Sequence, residues 1–297
     1  MTTGTEGGLI APPLTPIAEA PLKVDSVQVL GDEILTQHVH HALSLGLPSL
    51  PHHPTHDLVA VLVASGASVT TQLDSIKRQR DKGRPIIAIK DAHDWLISEG
   101  IIPNQAIVLD PTEHQWQCFR RKHPDVQYWV SSQCHPKMFE HLHGHQVSLF
   151  HLIFNNNAAY KGKGVKFMIG GGTTTGLRAI SLLYVLGFRR FELYGYDSCL
   201  MNGHLRVETA WERPKDANSQ LVTVRCGSRR FICNFGMAAQ ANEFLNLWTD
   251  YKMPDIFVQS YGDGLITAIL EEWTQQSMDH TMKGDSHADT GTRCLVA

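Results

Sequence analysis

Two glycine-rich turns are the first candidates for chemistry in this sequence. Ser65-Gly66-Ala67-Ser68 follows an apolar run and precedes a helical pattern, and so does the segment GGGTTTG at 170–176. Glycine lets a backbone approach a ligand closely, and the free N–H groups at a helix start favour phosphate. We therefore predict a phosphate cradle. The residues assigned to it are Ser65, Gly66, Ser68, Gly170, Gly171, Gly172, Thr173, Thr174 and Thr175.

The two turns differ in how strongly they indicate a ligand. On spacing alone, the first is more typical of an ordinary strand-to-helix connection. The second has three glycines and then three hydroxyl residues, and a structural turn rarely needs so many glycines because each costs backbone entropy. Neither turn has the GxGxxG or GxxxxGK[ST] spacing, so the dinucleotide and P-loop fingerprints do not apply.

Two aspartates follow apolar runs in the same way. Asp110 stands in AIVLDPTE and Asp197 in FELYGYDSC. A carboxylate at a strand end can bind Mg²⁺ or activate a hydroxyl, but it can equally cap the segment that follows. Ligands of open parallel sheets bind where strands end. We therefore predict that Asp110 and Asp197 are catalytic and hold a metal ion.

The histidines and a basic segment leave alternatives open. The chain has 17 histidines, three of them in HLHGH at His141, His143 and His145. This run could bind a transition metal if it were a strand, although exposed loop histidines are the favoured interpretation. Residues 206–230 are locally basic, which indicates a solvated hairpin or a lid over a phosphorylated substrate. No GxSxG elbow occurs, so the sequence gives no support for a hydrolase triad.

Short apolar runs alternate with helical patterns, which predicts an α/β fold with a mostly parallel sheet. We expect flexible tails at 1–21 and 277–297, a single domain over 22–276, and a β-hairpin near 221–233. The helical patterns include 69–82, 93–99, 177–186 and 237–251. The predicted parallel strands are 58–64, 85–89, 106–109, 126–130, 165–169, 190–194 and 256–259, with 147–154 as a strand or a strand entering a loop.

Composition excludes several classes of protein. The chain has 297 residues, 26 Lys plus Arg against 29 Asp plus Glu, and a net charge of -3, so we do not expect it to bind nucleic acid. No apolar run approaches the roughly 18 residues of a membrane span, and the N-terminus does not resemble a secretory signal. Six cysteines without a CxxC pair indicate reduced thiols. We expect a cytoplasmic protein without a membrane partner, and leave a homo-oligomer open.

The order of these pieces resembles a known family. VLVASGASVTTQLDSI, RPIIAIKDAHDWLISEGIIPNQAIVLDPTE and FMIGGGTTTGLRAISLLYVLGFRRFELYGYDSC are similar to the MptE-like 6-hydroxymethylpterin diphosphokinase family. Its bacterial relatives include the Maf motility-associated proteins, regarded as flagellin glycosyltransferases. The resemblance runs from about residue 57 to 197. It implies a Rossmann-like α/β domain with helices on both faces of the sheet.

The resemblance also implies positions for the donor. A nucleotide or phosphate donor would lie near Ser65, Gly66 and Ser68, which match the family's GPSL turn. Asp110, the glycine turn and Asp197 match further family positions. Two departures are Ala67 in place of the usual proline of GPSL and Asn104 in place of the usual aspartate after Pro103.

Three functions follow as hypotheses. The first is Mg²⁺-dependent diphosphate transfer from ATP to a hydroxymethylpterin-like acceptor, with Asp91, Asn155 and Asn156 available to bind the pterin ring. The second is glycosyl transfer from a nucleotide sugar such as a CMP-nonulosonate, with Asp197 or a histidine as base. The third is a non-catalytic nucleotide-binding or assembly protein. The expected partners are a nucleotide and a small-molecule acceptor.

Overall fold

The computed structural model of the protein describes residues 20–21, 30–207, 221–248, 250, 252–253, 255–283 and 295–296. The strands are β1 (Ala20–Pro21), β2 (Val59–Val63), β3 (Ile86–Ile89), β4 (Gln105–Val108), β5 (Gln127–Ser131), β6 (Gln146–Phe150), β7 (Arg190–Tyr194), β8 (Leu221–Cys226), β9 (Arg229–Asn234), β10 (Phe257–Tyr261) and β11 (Leu295–Val296). The α-helices are α1 (Asp32–Ser44), α2 (Leu73–Asp81), α3 (Ala92–Ser98), α4 (Pro136–His141), α5 (Thr175–Val185), α6 (Phe235–Phe244) and α7 (Leu265–Lys283). Short 3₁₀ helices cover Ala67–Gln72, Glu113–Phe119, Asn157–Tyr160 and Leu245–Leu247.

Seven strands form the main sheet in the order β10-β7-β2-β3-β4-β5-β6, and each neighbouring pair is parallel. Successive side chains of a strand point to opposite faces. In β2, Ala60 and Leu62 pack into one hydrophobic cluster, and Val61 and Val63 pack into another on the opposite face. A strand buried on both faces must be apolar at every position, which explains its unbroken apolar sequence.

Helices cover both faces of this sheet. One cluster joins the sheet to apolar residues of α5, α6 and α7, and the other joins it to residues of α1, α2, α3 and α4. The predicted α/β fold, with a parallel sheet between two helical layers, is therefore confirmed. None of the described helices is both long and apolar enough to cross a membrane.

The strand order reverses beside β2. From β2 the chain moves to β3 on one side, whereas β7 returns to pair with the other side of β2. In open α/β sheets the crevice for a ligand lies outside the carboxyl ends of the strands at such a switch point. The topology therefore predicts a ligand crevice beside the residues that follow β2 and β7.

The predicted hairpin is also confirmed. β8 and β9 pair antiparallel, and β11 and β1 extend them to a four-stranded sheet. Because α6 begins where β9 ends, the hairpin fixes the start of that helix.

Other predictions need correction. Residues 165–169 do not form a strand: Ile169 makes one isolated bridge to Leu152, while Val165 and Met168 pack on a small cluster that includes Leu35 and Val39. The apolar residues that suggested a strand are used to cover that cluster. The helical pattern 69–82 divides into the 3₁₀ segment Ala67–Gln72 and α2.

The expected tails fall largely outside the described residues. Residues 1–19, 284–294 and 297 are not described, while Ala20–Pro21 and Leu295–Val296 form short strands. Helix α7 continues to Lys283, beyond residue 276 where we expected the folded part to end. The five cysteines with described side chains are buried and form no disulfide with one another, in line with the prediction of reduced thiols.

Candidate functional site

A cavity of about 600 Å³ lies at the carboxyl ends of β2, β3, β4 and β7. This volume is within the range of roughly 300–1,000 Å³ that is typical of small-molecule sites. The lining residues are Ala64, Ser65, Gly66, Ile89, Lys90, Leu109, Asp110, Thr173, Thr174, Thr175, Gly176, Gly195, Tyr196, Asp197, Ser198, Leu205, Arg206, Asn234, Phe235, Gly236, Met237 and Gln240. The switch-point crevice is thus a formed cavity, and it contains residues from both predicted turns and both predicted aspartates.

Glycines bring the ends of β2 and β7 into contact beneath this cavity. The Gly66 N–H donates to the Gly195 carbonyl at 3.0 Å, and a Cβ added to Gly66 would lie 2.4 Å from that oxygen. Gly195 has φ +66°, and a Cβ there would lie 2.3 Å from the Ala64 carbonyl oxygen. Any side chain at either position would separate the two strand ends.

Asp197 is enclosed by this arrangement. Its carboxylate accepts hydrogen bonds from the Ser68 N–H at 2.9 Å and from the Ser68 hydroxyl, and the residue is 3% exposed. A Cβ on Gly264 would lie 2.6 Å from the Asp197 Cα. Burial raises the pKa of Asp197 because it disfavours the charged form, and the bonds from Ser68 partly oppose that rise. Asp197 therefore anchors the turn after β2, and its catalytic role stays a prediction.

Asp110 has a different environment. Its carboxylate forms an ion pair with the Lys90 ammonium, and the two side chains are 25% and 15% exposed. Both line the cavity. Lys90 has φ +51°, a left-handed conformation that non-glycine residues adopt at a cost and that clusters at functional sites. Lys90 was not among the predicted site residues, although it directly follows β3. The strand-end rule, that ligands of open parallel sheets bind where strands end, could have found it.

The glycines and the threonines of the turn at 170–176 have different positions relative to the cavity. Gly172 has φ +69°, and a Cβ there would lie 2.4 Å from the Leu177 Cβ. The Arg178 Nε donates to the Gly172 carbonyl at 2.6 Å and holds the turn from outside. Gly170, Gly171 and Gly172 are not among the lining residues, whereas Thr173, Thr174 and Thr175 are. The glycines shape the turn, and the threonines line the cavity.

A carboxylate occupies the donors that we predicted for phosphate. The Thr173 N–H and hydroxyl donate to the same oxygen of Glu243, at 2.9 and 2.8 Å. Thr174 accepts from the Leu177 N–H at 3.3 Å and caps α5. The contact with Glu243 shows that Thr173 presents two donors to an anion. No local sequence pattern could have pointed to Glu243, because it lies 70 residues away from Thr173 along the chain.

The segment 199–207 crosses the rim of the cavity. The Leu200 N–H donates to the Ile232 carbonyl at 2.7 Å, and the Val207 N–H donates to the Ser65 carbonyl at 2.9 Å. Leu205 and Arg206, between these two anchors, line the cavity.

The described basic residues of segment 206–230 are divided between the cavity and the hairpin, and a lid over a phosphorylated substrate stays a prediction. Arg206 lines the cavity, while Arg225 and Arg230 are exposed on the hairpin and Arg229 pairs with Glu271. The basic residues at 213 and 215 lie outside the described part of the chain.

The residues predicted to bind a pterin ring do not line the cavity. Asp91 is buried before α3, and Asn155 is exposed. The Asn156 side chain donates to the Thr36 hydroxyl at 2.9 Å. The two asparagines follow β6, and three strands separate β6 from β2 in the sheet. The structure does not bring these three residues together.

The donor set fits one metal ligand better than two. Among the described residues, no three side chains of His, Cys, Asp or Glu form a group that could hold a metal ion. Mg²⁺ is usually held by one or two carboxylates together with phosphate oxygens and water. Asp110 fits this role, whereas both oxygens of Asp197 already accept bonds from Ser68.

The histidine run does not have the geometry that metal binding would require. His141 ends α4, and His143 and His145 lie in the turn before β6, so the run is not a strand. The favoured interpretation, exposed loop histidines, describes His143, whereas His145 lies in the same turn and is half-buried.

The fold and the cavity define the class of protein: a Rossmann-like α/β protein with a ligand cavity at the switch point of its sheet. The model of the MptE-like family, described as 6-hydroxymethylpterin diphosphokinase MptE-like, matches residues 43–203, just over half of the chain. The chain belongs to this family, as the sequence motifs indicate. Membership supports a transferase-like role.

A solved structure is similar in fold. It is a Maf glycosyltransferase from Magnetospirillum magneticum AMB-1, with 16% identity and a TM-score of 0.58. The likeness covers 78% of this chain and 36% of that chain, so this chain corresponds to about a third of its neighbour. At this identity the likeness shows the fold alone. No curated protein matches the sequence.

Proposed function

We propose that the protein is a nucleotide-dependent transferase that transfers diphosphate from ATP to a hydroxymethylpterin-like acceptor with Mg²⁺. One observation carries the proposal: the switch-point cavity combines the Thr173 donors with Lys90, Arg206 and Asp110. Phosphoryl-type transfer depends mostly on positioning and on neutralising charge, and these are the groups that would do both.

Each group has a role in this proposal. The Thr173 N–H and hydroxyl and the turn at Ser65 would bind phosphate oxygens, and Lys90 and Arg206 would offset their charge. Asp110 would hold Mg²⁺, which when bound neutralises charge on the transferred diphosphate. The acceptor hydroxyl oxygen forms a bond to the β-phosphorus, and the bond from that phosphorus to the α–β bridging oxygen breaks. AMP leaves with the bridging oxygen, and the hydroxyl proton passes to water.

AMP release tests the proposal. The protein is incubated with ATP, Mg²⁺ and 6-hydroxymethylpterin, and AMP and the diphosphorylated pterin are measured by mass spectrometry. We expect AMP formation that requires the pterin and that falls at least about 100-fold in Asp110→Asn. Asp125→Asn is the control, because Asp125 is exposed and outside the cavity. No acceptor-dependent AMP would refute the diphosphokinase assignment.

Glycosyl transfer from a nucleotide sugar is the second candidate. One observation favours it: Asp110 already has a cation partner in Lys90. Lys90 and Arg206 both line the cavity, so they could offset the charge of a leaving nucleotide without a metal. The likeness in fold to a glycosyltransferase supports the same alternative. Release of CMP from a CMP-sugar in the presence of EDTA, without AMP release in the first assay, would establish this reaction class instead.

We also propose that the protein works in the cytoplasm. No disulfide joins any two of the five buried cysteines that the structure describes, Cys118, Cys134, Cys199, Cys226 and Cys233, which fits a reducing compartment.

A further inference from the structure

Two exposed hydrophobic side chains line the same cavity as the anion-binding groups. Leu205 is 38% exposed and Phe235 is 40% exposed. Both lie on the cavity wall, together with Met237. A cavity that joins apolar surface to cations and N–H donors suits a ligand with an apolar ring at one end and negative charge at the other.

Both side chains are held on fixed backbone. Leu205 precedes Arg206 and Val207, and the Val207 N–H donates to the Ser65 carbonyl at 2.9 Å. Phe235 is the first residue of α6, and the Asn234 side chain caps that helix by accepting from the Met237 N–H at 2.9 Å. The backbone at these two positions is therefore anchored before a ligand enters, which lowers the entropy lost on binding.

The length of α6 gives the approximate separation between Phe235 and the predicted phosphate cradle at Thr173. Glu243 binds Thr173 near the end of α6, and Phe235 begins the helix. At 1.5 Å per residue the two positions are roughly 12 Å apart along the helix axis. A ring at Phe235 and phosphates at Thr173 would thus be separated by space for a sugar, as in one nucleotide. Arg206 follows Leu205 in the chain and lines the same cavity, so the cavity holds a cation as well as the apolar surface.

We propose that Phe235 and Leu205 form the nucleobase site of the donor: the base stacks on the Phe235 ring and packs against Leu205, while its phosphates reach Thr173 and Arg206. This inference rests on the proposed nucleotide-dependent function and adds the position of the ring. Every nucleobase has a π-face, so the platform formed by Phe235 and Leu205 can bind any base by stacking. Discrimination between bases would need hydrogen bonds to the edges of the base.

Calorimetric titration with two probes tests this site. ATP carries a ring, and inorganic tripolyphosphate carries the charge without a ring. We expect Phe235→Ala to weaken ATP binding about 10- to 100-fold and to change tripolyphosphate binding by less than about twofold. Phe235→Trp should restore ATP affinity. The matched control is Phe257→Ala, because Phe257 is 65% exposed and lies outside this cavity.

The other outcomes separate the inference from the function on which it rests. Unchanged ATP affinity in Phe235→Ala, or an equal loss for both probes, overturns the base site and leaves the proposed function standing. Loss of 6-hydroxymethylpterin binding with ATP unaffected assigns the platform to the acceptor and overturns the nucleobase assignment. A wild-type protein that binds neither probe refutes the proposed function as well.

Discussion

The carboxyl edge of the main sheet has two halves with opposite characters. At the ends of β2, β3, β4 and β7 it opens into the cavity of about 600 Å³. At the ends of β5 and β6 it is filled by a polar cluster in which Ser132, His151 and Tyr160 are buried and Ser49 is exposed. The His151 ring contacts the hydroxyl oxygens of Ser49 at 2.9 Å and Ser132 at 3.1 Å, and the Tyr160 hydroxyl donates to the Leu152 carbonyl at 3.1 Å.

This difference shows what the strand-end rule can locate. Polar residues follow strands in both halves. In the closed half Ser132 and His151 are buried against each other, whereas Lys90 and Asp110 in the open half line the cavity. The open half lies at the switch point, where connections leave β2 and β7 in opposite directions and keep a crevice between them. The rule identifies an edge of the sheet, and the strand order decides which part of that edge can accept a ligand.

Asp110 and Asp197 differ in the same way inside the open half. Asp197 is enclosed and bonded to Ser68, whereas Asp110 is partly exposed beside Lys90. We therefore infer that Asp197 mainly stabilises the fold and that Asp110 mainly contacts the ligand.

The largest expected effect separates these two aspartates. Asp197→Ala should lower the free energy of unfolding by about 3 kcal/mol, because it removes charge-assisted bonds and leaves the buried Ser68 N–H without a partner. Asp110→Ala should cost about 1 kcal/mol or less, since its ion pair is partly exposed to water. Urea denaturation of both variants measures the two values. Equal losses would contradict the assignment.

The closed half should respond to acid. Burial lowers the pKa of His151 from 6.5 to about 4, so the folded state binds the proton less readily than the unfolded state. The contribution of the neutral His151 ring to the free energy of unfolding is therefore fully present above its unfolded pKa of 6.5. It is lost as the pH falls towards the folded-state pKa of about 4. The loss should reach about 2 kcal/mol near pH 5.

The control for this loss is His151→Gln, which cannot titrate. Ser49 and Ser132 do not titrate in this range, and the pKa of Tyr160 is raised by burial, so its hydroxyl stays neutral. Urea denaturation near pH 7.5 and near pH 5 should show a smaller loss in the variant than in the wild type. The same loss in both proteins would place the titrating group elsewhere.

Gly66→Ala probes the contact beneath the open half. The added methyl group would lie 2.4 Å from the Gly195 carbonyl and 2.7 Å from an Asp197 carboxylate oxygen, so the strand ends must separate. We expect a loss of about 2 kcal/mol in the free energy of unfolding. Gly31→Ala is the control, because nothing lies within 4 Å of a Cβ there. A loss no larger than that of the control would show that the contact is dispensable.

The smallest effect concerns Glu243, whose carboxylate binds the Thr173 donors. If phosphate uses the same donors, Glu243→Gln should strengthen tripolyphosphate binding a few-fold, about 0.5–1 kcal/mol, by removing a competing charge. Calorimetric titration measures this gain. Glu140→Gln, an exposed position on α4, should leave the affinity unchanged. Weaker binding in Glu243→Gln would mean that Glu243 supports the cradle instead of occupying it.

Much of the fold was predictable because its strands are buried on both faces and leave unbroken apolar runs. The strand at 165–169 was predicted wrongly, because apolar residues that cover a small cluster look like those of a strand. The paired turns and aspartates were predictable from local pattern. Glu243, Phe235 and Leu205 were not, since the packing of α6 and of segment 199–207 against the sheet brings them to the cavity.

Hydrogen exchange with bound nucleotide would show whether the open half of the edge binds the donor. Mass spectrometry would compare backbone exchange with and without ATP and Mg²⁺. We predict protection in segments 64–69, 172–178 and 204–207, and unchanged exchange in segment 150–157. Protection confined to segment 150–157, or no protection in 172–178 at saturating ATP, would contradict this prediction.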